Sequence, residues 1–392
     1  MKFVHLSDTH LGKNEMKLDT RKEDFNNAFK QAIDFALDKK VDFVIHSGDL
    51  FDTAKPSVDT LIFAAEQLKR LKENNIPFFI AVGSHDIGVD DTIISLLEVM
   101  GLLINVSSKK HYLLEGEKII MLGEKINNVS IYGIAGKRAK IDEIFRNLVP
   151  KDLEPNHFNI FIFHHIISDI SEKFMDLPVS LLPKNFDYYA GGHWHGFFES
   201  KYGKGKIVYP GSTEYNDLKE MESDQAKYFC FVTQENGRLN VEKIKIKTRE
   251  IKILEINCNN ADALEVTKEV ISKITPNQNK AILIIKLLGK LSKGNKLEID
   301  RKLISDTAET QGYLYAKIYL SDLENPETPF VSSRKSLAEI EEEYLIKQKY
   351  EENEVLVAKQ LISLLGKEFT PSELKAKQLA SKEVIRRLLI DN

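Results

Sequence analysis

Gly192-His193-Trp194-His195-Gly196 sets two imidazoles on one side of a short extended segment. The flanking glycines let the backbone turn tightly and come close to an ion or an anion. Four upstream stretches carry complementary ligand types: Asp8-Thr9-His10, Gly48-Asp49, Gly83-Ser84-His85-Asp86 and His164-His165. All 10 histidines lie between positions 5 and 195. So lopsided a distribution favours one site over a scatter of surface residues.

Each of these stretches follows a run with the pattern of a buried strand. Lys2–Ser7, Val41–His46 and Pro77–Val82 read as strands, and Arg21–Lys39 and Val58–Asn74 as the helices between them. Asn159–Phe163 delivers His164, and Tyr188–Gly191 delivers the His193/His195 loop. In open α/β sheets, sites form at the carboxyl ends of strands, so these loops are expected to converge. Between the two groups, Leu102–Ile134 reads as short strands and turns, and Ala139–Leu148 as helical. Phe197–Ser200, Lys206–Tyr209, Tyr228–Thr233 and Val241–Lys245 are expected to alternate as strands of a second sheet. The expected fold class is α/β: a sandwich with helices outside and ligands along one rim. Glu250–Ile256, Ala261–Ile274, Lys280–Leu287, Glu298–Thr310 and Tyr313–Leu320 then read as a small α/β unit without histidine. Beyond a polar, proline-bearing stretch the chain is helical and charge-rich, with Val355, Ala358, Ile362 and Leu365 along one stripe.

The chain's 392 residues exceed one ordinary core. No apolar run is long enough to span a bilayer, and Met1–His5 reads as a strand, not a signal peptide. Two cysteines suit a reducing, cytoplasmic setting and supply no zinc or disulfide framework. A net charge of -4 does not by itself mark a nucleic-acid binder. Contact with DNA therefore has to come from local patches, for which Lys201, Lys204, Lys206, Lys243, Lys245 and Lys247 are candidates, or from a partner.

Carboxylates with imidazoles, and no thiolates, suit manganese, iron or zinc. Two ions about 3.5–4 Å apart need a bridging carboxylate, and Asp49 is the natural candidate.

These motifs, Asp8-x-His10, Gly48-Asp49, Gly83-x-His85-Asp86, His164 and Gly192-His193-x-His195, resemble the signatures of the calcineurin-like metallophosphoesterases. Phe3–Gly12, His46–Phe51 with Lys55-Pro56, and Tyr209–Glu214 resemble the Mre-eleven or SbcD branch, the double-strand-break repair nucleases. The resemblance implies a four-layer α-β-β-α sandwich over 1–247, a capping, DNA-binding α/β domain over 248–321, a linker over 322–333 and a helical segment over 334–392. It implies a DNA exo- or endonuclease with two manganese ions per subunit. Asp8, His10, Asp49 and His195 would hold the first ion; Asp49, the residue at 84, His164 and His193 the second. His85 would protonate the leaving oxygen, and His165 has no assigned role. Implied partners are DNA ends, a Rad-fifty (SbcC-type) ATPase on the helical segment through Val355, Ile362 and Leu365, and a second copy of the chain. The helices from Val58 and from Ile93 carry more apolar residues than one sheet face needs, which points to Leu61, Leu68, Ile94 and Leu97 for that dimer. No membrane partner is implied.

The chain departs from the family at two positions. Ser84 stands where the family has a metal-binding asparagine, and a shorter neutral hydroxyl holds a cation less well. The consequence is a weaker second metal or, as the alternative, a DNA-end-binding scaffold with weakened catalysis. Asp52 stands where many relatives have a histidine. By analogy with phosphatases, its carboxylate is expected to pair with His85 and make it a better acid at neutral pH.

Overall fold

The computed structural model describes residues 1–326, apart from 15–18, 89–92, 137, 138, 152, 155 and 224. The expected helical segment over 334–392, with Val355, Ile362 and Leu365, lies outside the described residues, as does 327–333 of the expected linker.

Strand Lys2–Leu6 explains the architecture at small scale. Successive side chains of a strand point to opposite faces. Phe3 and His5 turn one way, and Val4 and Leu6 the other, where they join a core shared with Phe29, Ile33 and Leu68 of the helices. Phe3 packs instead with Phe43, Ile45, Ile160, Ile162 and Tyr188, the core between two sheets. A strand covered on both faces must be apolar throughout, and that accounts for the unbroken apolar runs Phe43–Ile45 and Ile160–Phe163.

The first sheet has six strands in the order Arg238–Lys245, Tyr228–Glu235, Lys2–Leu6, Phe43–His46, Phe78–Ile80, Ile104–Asn105. The second, also of six, runs Phe198–Tyr202, Gly205–Tyr209, Tyr188–Gly192, Phe158–His164, Val129–Gly133, Glu124–Ile126. Helices Asp19–Lys39 and Val58–Glu73 cover the outside of the first sheet. Helix Ile141–Arg146, shorter than its sequence suggested because Leu148–Pro150 is a strand, packs Phe145 on the outside of the second. The result is the expected four-layer sandwich.

One assignment is corrected. Tyr228–Glu235 and Arg238–Lys245 do not extend the second sheet. They return as a hairpin to the first, where Tyr228–Glu235 runs antiparallel to Lys2–Leu6 with His5 opposite Cys230. The free edge of Lys2–Leu6 offers unpaired N–H and C=O groups, and the hairpin satisfies them. Strand periodicity alone does not say which sheet a strand joins.

Strands Ile251–Asn257, Ile282–Lys290 and Tyr315–Tyr319 form a parallel third sheet with crossover helices Ala263–Lys273 and Arg301–Thr310 and a core of its own. Leu323–Glu324, expected in the linker, pairs with the end of Ile282–Lys290 and buries Leu323 in that core. The chain leading to it is anchored by charge. Fully buried Arg21 donates to Asp24 at 2.6 Å and to the Tyr215 carbonyl at 2.9 Å, with Glu214 at 3.3 Å. Arg249 grips the same Asp24 through both carboxylate oxygens, at 2.6 and 2.7 Å. Arg21, Asp24 and Glu214 are buried, so breaking Arg21 away would strand the carboxylates.

Candidate metal centre

Five strands end at one rim. Lys2–Leu6 leads to Asp8 and His10, Phe43–His46 to Asp49, Phe78–Ile80 to Ser84 and His85, Phe158–His164 ends in His164, and Tyr188–Gly192 leads to His193 and His195. The bends that aim these side chains inward use the left-handed region: Asp8, His10, Asp49 and His193 have φ of 50°, 41°, 57° and 80°. Such a conformation costs an L-residue roughly 1–2 kcal/mol, which the surrounding hydrogen bonds must offset. Gly48, at φ 93°, lies so close to the other loops that a Cβ would stand 2.5 Å from His164 Nδ1 and 2.7 Å from Gly83 Cα.

The donor atoms fall into three groups: Asp8, His10 and His195; Asp49, His164 and His193; and His10, Asp52 and His85. Asp49 Oδ2 sits between the first two, 3.1 Å from His164 Nε2 and 4.0 Å from His10 Nε2. His10 and His195 face each other Nε2 to Nε2 at 3.3 Å. Asp49 Oδ2 and His164 Nε2 are buried without a well-formed hydrogen bond. Apart from each other these two buried atoms have no hydrogen-bond partner among the described residues, and a cation would satisfy carboxylate and imidazole donors together. The residues present therefore fit divalent ions. Burial pushes His164 down but the Asp49 carboxylate outweighs it and raises His164 to about 9. Burial and the neighbouring His164 hold His193 at about 4.

Around the donors lies a shell of positioning contacts. Asp8 accepts from the His193 amide at 3.1 and 3.2 Å and from the Ser7 hydroxyl. Asp49 Oδ1 accepts from the His85 amide at 2.8 Å. His164 Nδ1 donates to the Ser47 carbonyl at 2.7 Å, which leaves Nε2 as the ligand atom. Buried Asp86 accepts from the amides of Leu50, Phe51 and Gly83 at 3.2, 2.9 and 3.0 Å and so ties two of the loops together. Its role was not visible in the sequence, although it stands in the Gly83-Ser84-His85-Asp86 stretch. Nor was that of Glu220, 2.6 Å from His195 Nδ1, which sits in a separate segment with no spacing signal.

Asp52 differs from expectation. His85 Nδ1 donates at 2.7 Å to the Asp52 main-chain carbonyl, and the Asp52 carboxylate turns to Lys13 at 3.1 Å and His10 Nδ1 at 3.5 Å. A neighbouring lysine outcompetes an exposed imidazole for that carboxylate. His165 is buried edge-on to the Phe145 ring, 5.5 Å between centroids. Ser84 is half-buried at the rim. Among the candidate DNA-tracking lysines, Lys204 and Lys206 pair with Asp187 and Glu199, and Lys243 lies over the Phe197 and Tyr228 rings.

The comparisons with known proteins agree with this geometry. Residues 1–197 match the calcineurin-like phosphoesterase family. A protein of Sulfurisphaera tokodaii named DNA double-strand break repair protein Mre11 is 31% identical over 78% of this chain and 78% of its own. This chain is a calcineurin-like phosphoesterase of the Mre11 group. Two further Mre11 proteins extend the likeness. That of Thermoplasma acidophilum is 31% identical over 74% of this chain and 77% of its own; that of Saccharolobus solfataricus is 28% identical over 92% and 94%. Among solved structures, a dimetal phosphatase from Danio rerio matches 63% of this chain and 99% of its own at 11% identity. Its TM-score is 0.38, too distant a likeness to bear on the reaction. As a member of this family the chain is a phosphoesterase whose donor groups suit divalent metals. No helix among the described residues is long and apolar enough to cross a membrane.

Proposed function

We propose that this chain is a manganese-dependent nuclease that hydrolyses phosphodiester bonds at DNA double-strand ends, as part of a complex with a Rad-fifty-type ATPase. The observation that carries the reading is the pair of neighbouring donor groups, Asp8/His10/His195 and Asp49/His164/His193, with Asp49 Oδ2 4.0 Å from His10 Nε2, in a chain whose relatives are named for DNA double-strand break repair. Asp8, His10, Asp49 and His195 would hold one ion, and Asp49, Ser84, His164 and His193 the other. Ions bound there would lower the pKa of an attacking water and neutralise charge on the phosphate. The chain's own part is to fix the donors. The Ser47 carbonyl selects the His164 tautomer, and the Asp8 carboxylate pins the His193 backbone. His85 is oriented by its Nδ1–H on the Asp52 carbonyl, and in the doubly protonated ring Nε2–H would give its proton to the leaving oxygen. Asp52 acts in this scheme through its backbone on His85 and through its carboxylate on His10. Residues 248–321 serve as the capping domain, and the chain works as a homodimer.

The test is cleavage of end-labelled linear duplex DNA with manganese titrated in, wild type beside Ser84→Asn. Wild type is expected to cut, and Ser84→Asn to cut at lower manganese. An inert wild type revived by Ser84→Asn would replace the nuclease reading with the scaffold one. Hydrolysis of bis(p-nitrophenyl) phosphate with no cutting of DNA by either protein would make this a small-molecule phosphodiesterase.

A further inference from the structure

Helix Leu218–Glu222 has only five residues, yet its two sides meet different parts of the molecule. On one side Glu220 Oε1 lies 2.6 Å from His195 Nδ1. The other oxygen of Glu220 accepts from Lys227 Nζ at 2.6 Å and from the Asn216 amide at 3.0 Å, with the Ser212 hydroxyl at 3.5 Å. Lys227 is itself buried and donates to Ser212 Oγ at 2.7 Å. Glu220 is therefore held on several sides while it holds His195. In a helix, positions 218, 221 and 222 share the face opposite 220. There Leu218 and Met221, with Tyr215 just before the helix, pack on Ile282 and Ile284 of the third sheet. Glu222 pairs with Lys286 of the same strand at 3.1 Å.

We propose that Glu220 is a positioning residue for the metal ligand His195, and that helix Leu218–Glu222 couples the seating of the third sheet to metal affinity. The inference rests on the metal-centre reading above. A carboxylate that accepts from Nδ1–H fixes the imidazole with its Nε2 lone pair toward the centre and makes that nitrogen a better donor. The carboxylate sits on a helix too short to hold itself in place. Its position depends on those hydrogen bonds and also on what the helix lies on, the Ile282–Lys290 strand, so a shift of that strand reaches His195 through one turn of helix.

Manganese binding to the full chain is measured by electron paramagnetic resonance titration, alongside nitrogen-15 spectra of the histidine rings. Glu220→Gln keeps the shape and removes the charge. It is expected to weaken one of the manganese sites by about 10–100-fold and to change the His195 tautomer signature, which a merely structural defect would not do selectively. Lys286→Ala, which removes the half-buried pair with Glu222, is expected to weaken the same site by about fivefold and to add nothing in the Glu220→Gln background. Glu220→Gln with wild-type affinity and an unchanged His195 signature would overturn the positioning role. Lys286→Ala without effect, or with the same effect in both backgrounds, would overturn the coupling. A wild-type chain that binds no manganese would remove the metal-centre reading itself, and this inference with it.

Discussion

Asp86 and His5 show how single residues under the rim hold it together. Asp86 takes three backbone amides from two loops. Removing its carboxylate leaves those buried donors unpaired, each costing about 1–3 kcal/mol. Asp86→Ala is expected to lower the stability of the metal-free chain by at least about 2 kcal/mol in a urea titration. His5 is a pH-sensitive case. It is buried between the sheets, with Nδ1 2.9 Å from Tyr188 Oη and Nε2 2.7 Å from Ser47 Oγ. Burial, assisted by neighbouring His46, drives its pKa well below 6.5. A depressed pKa means that the unfolded chain binds the proton first. The neutral His5 therefore contributes stability above pH 6.5 that is lost as pH falls, by up to about 1.4 kcal/mol per unit. His5→Gln is expected to show a shallower loss of stability than wild type between pH 6.5 and 5, measured by urea midpoints. Equal slopes would mean that His5 does not titrate differently on folding.

At the scale of elements, the loops that carry the donors are packed against one another, not merely adjacent. Gly48 is the point of closest approach, with a backbone only glycine adopts freely. In Gly48→Ala the added methyl has to displace His164 or Gly83. The expected result is a loss of manganese affinity of tenfold or more, with a stability cost of more than about 1 kcal/mol, read by the same titrations. An unchanged affinity would show that the loops yield easily. Among the apolar residues expected at a dimer surface, the structure makes a clear correction. Leu68, Ile94 and Leu97 are buried in the chain's own core, because helix positions facing the sheet are already covered, and Leu61 is partly so. The outward residues are others: Val58 is 70% exposed, Ile62 52%, Leu96 52% and Val99 87%.

For the whole molecule, those exposed residues are where the proposed homodimer is to be tested. They lie on two helices that pack on the same core, and a contiguous apolar patch is a usual mark of a protein contact. The double variant Ile62→Asp/Val99→Asp is expected to halve the mass seen by light scattering while leaving the fold intact. A wild-type chain that is already monomeric would remove the dimer reading. The third sheet belongs to this scale as well, since the Arg249–Asp24 grip and helix Leu218–Glu222 join it to the phosphoesterase sandwich at two points.

The sequence by itself determined which carboxylates and imidazoles converge at the rim, because residues able to hold a metal show their chemistry in their letters. Imidazoles and carboxylates placed where apolar strands stop carry that message whatever surrounds them. It also determined the layered architecture, since an apolar run flanked by helical periodicity has to be covered on both faces. Tertiary structure alone decided which sheet the Tyr228–Lys245 hairpin joins and which leucines of two amphipathic helices remain outside. It alone turned the Asp52 carboxylate toward Lys13 and brought Glu220 to His195. These outcomes depend on competition among partners distant in sequence, and neither period nor spacing records which partner wins.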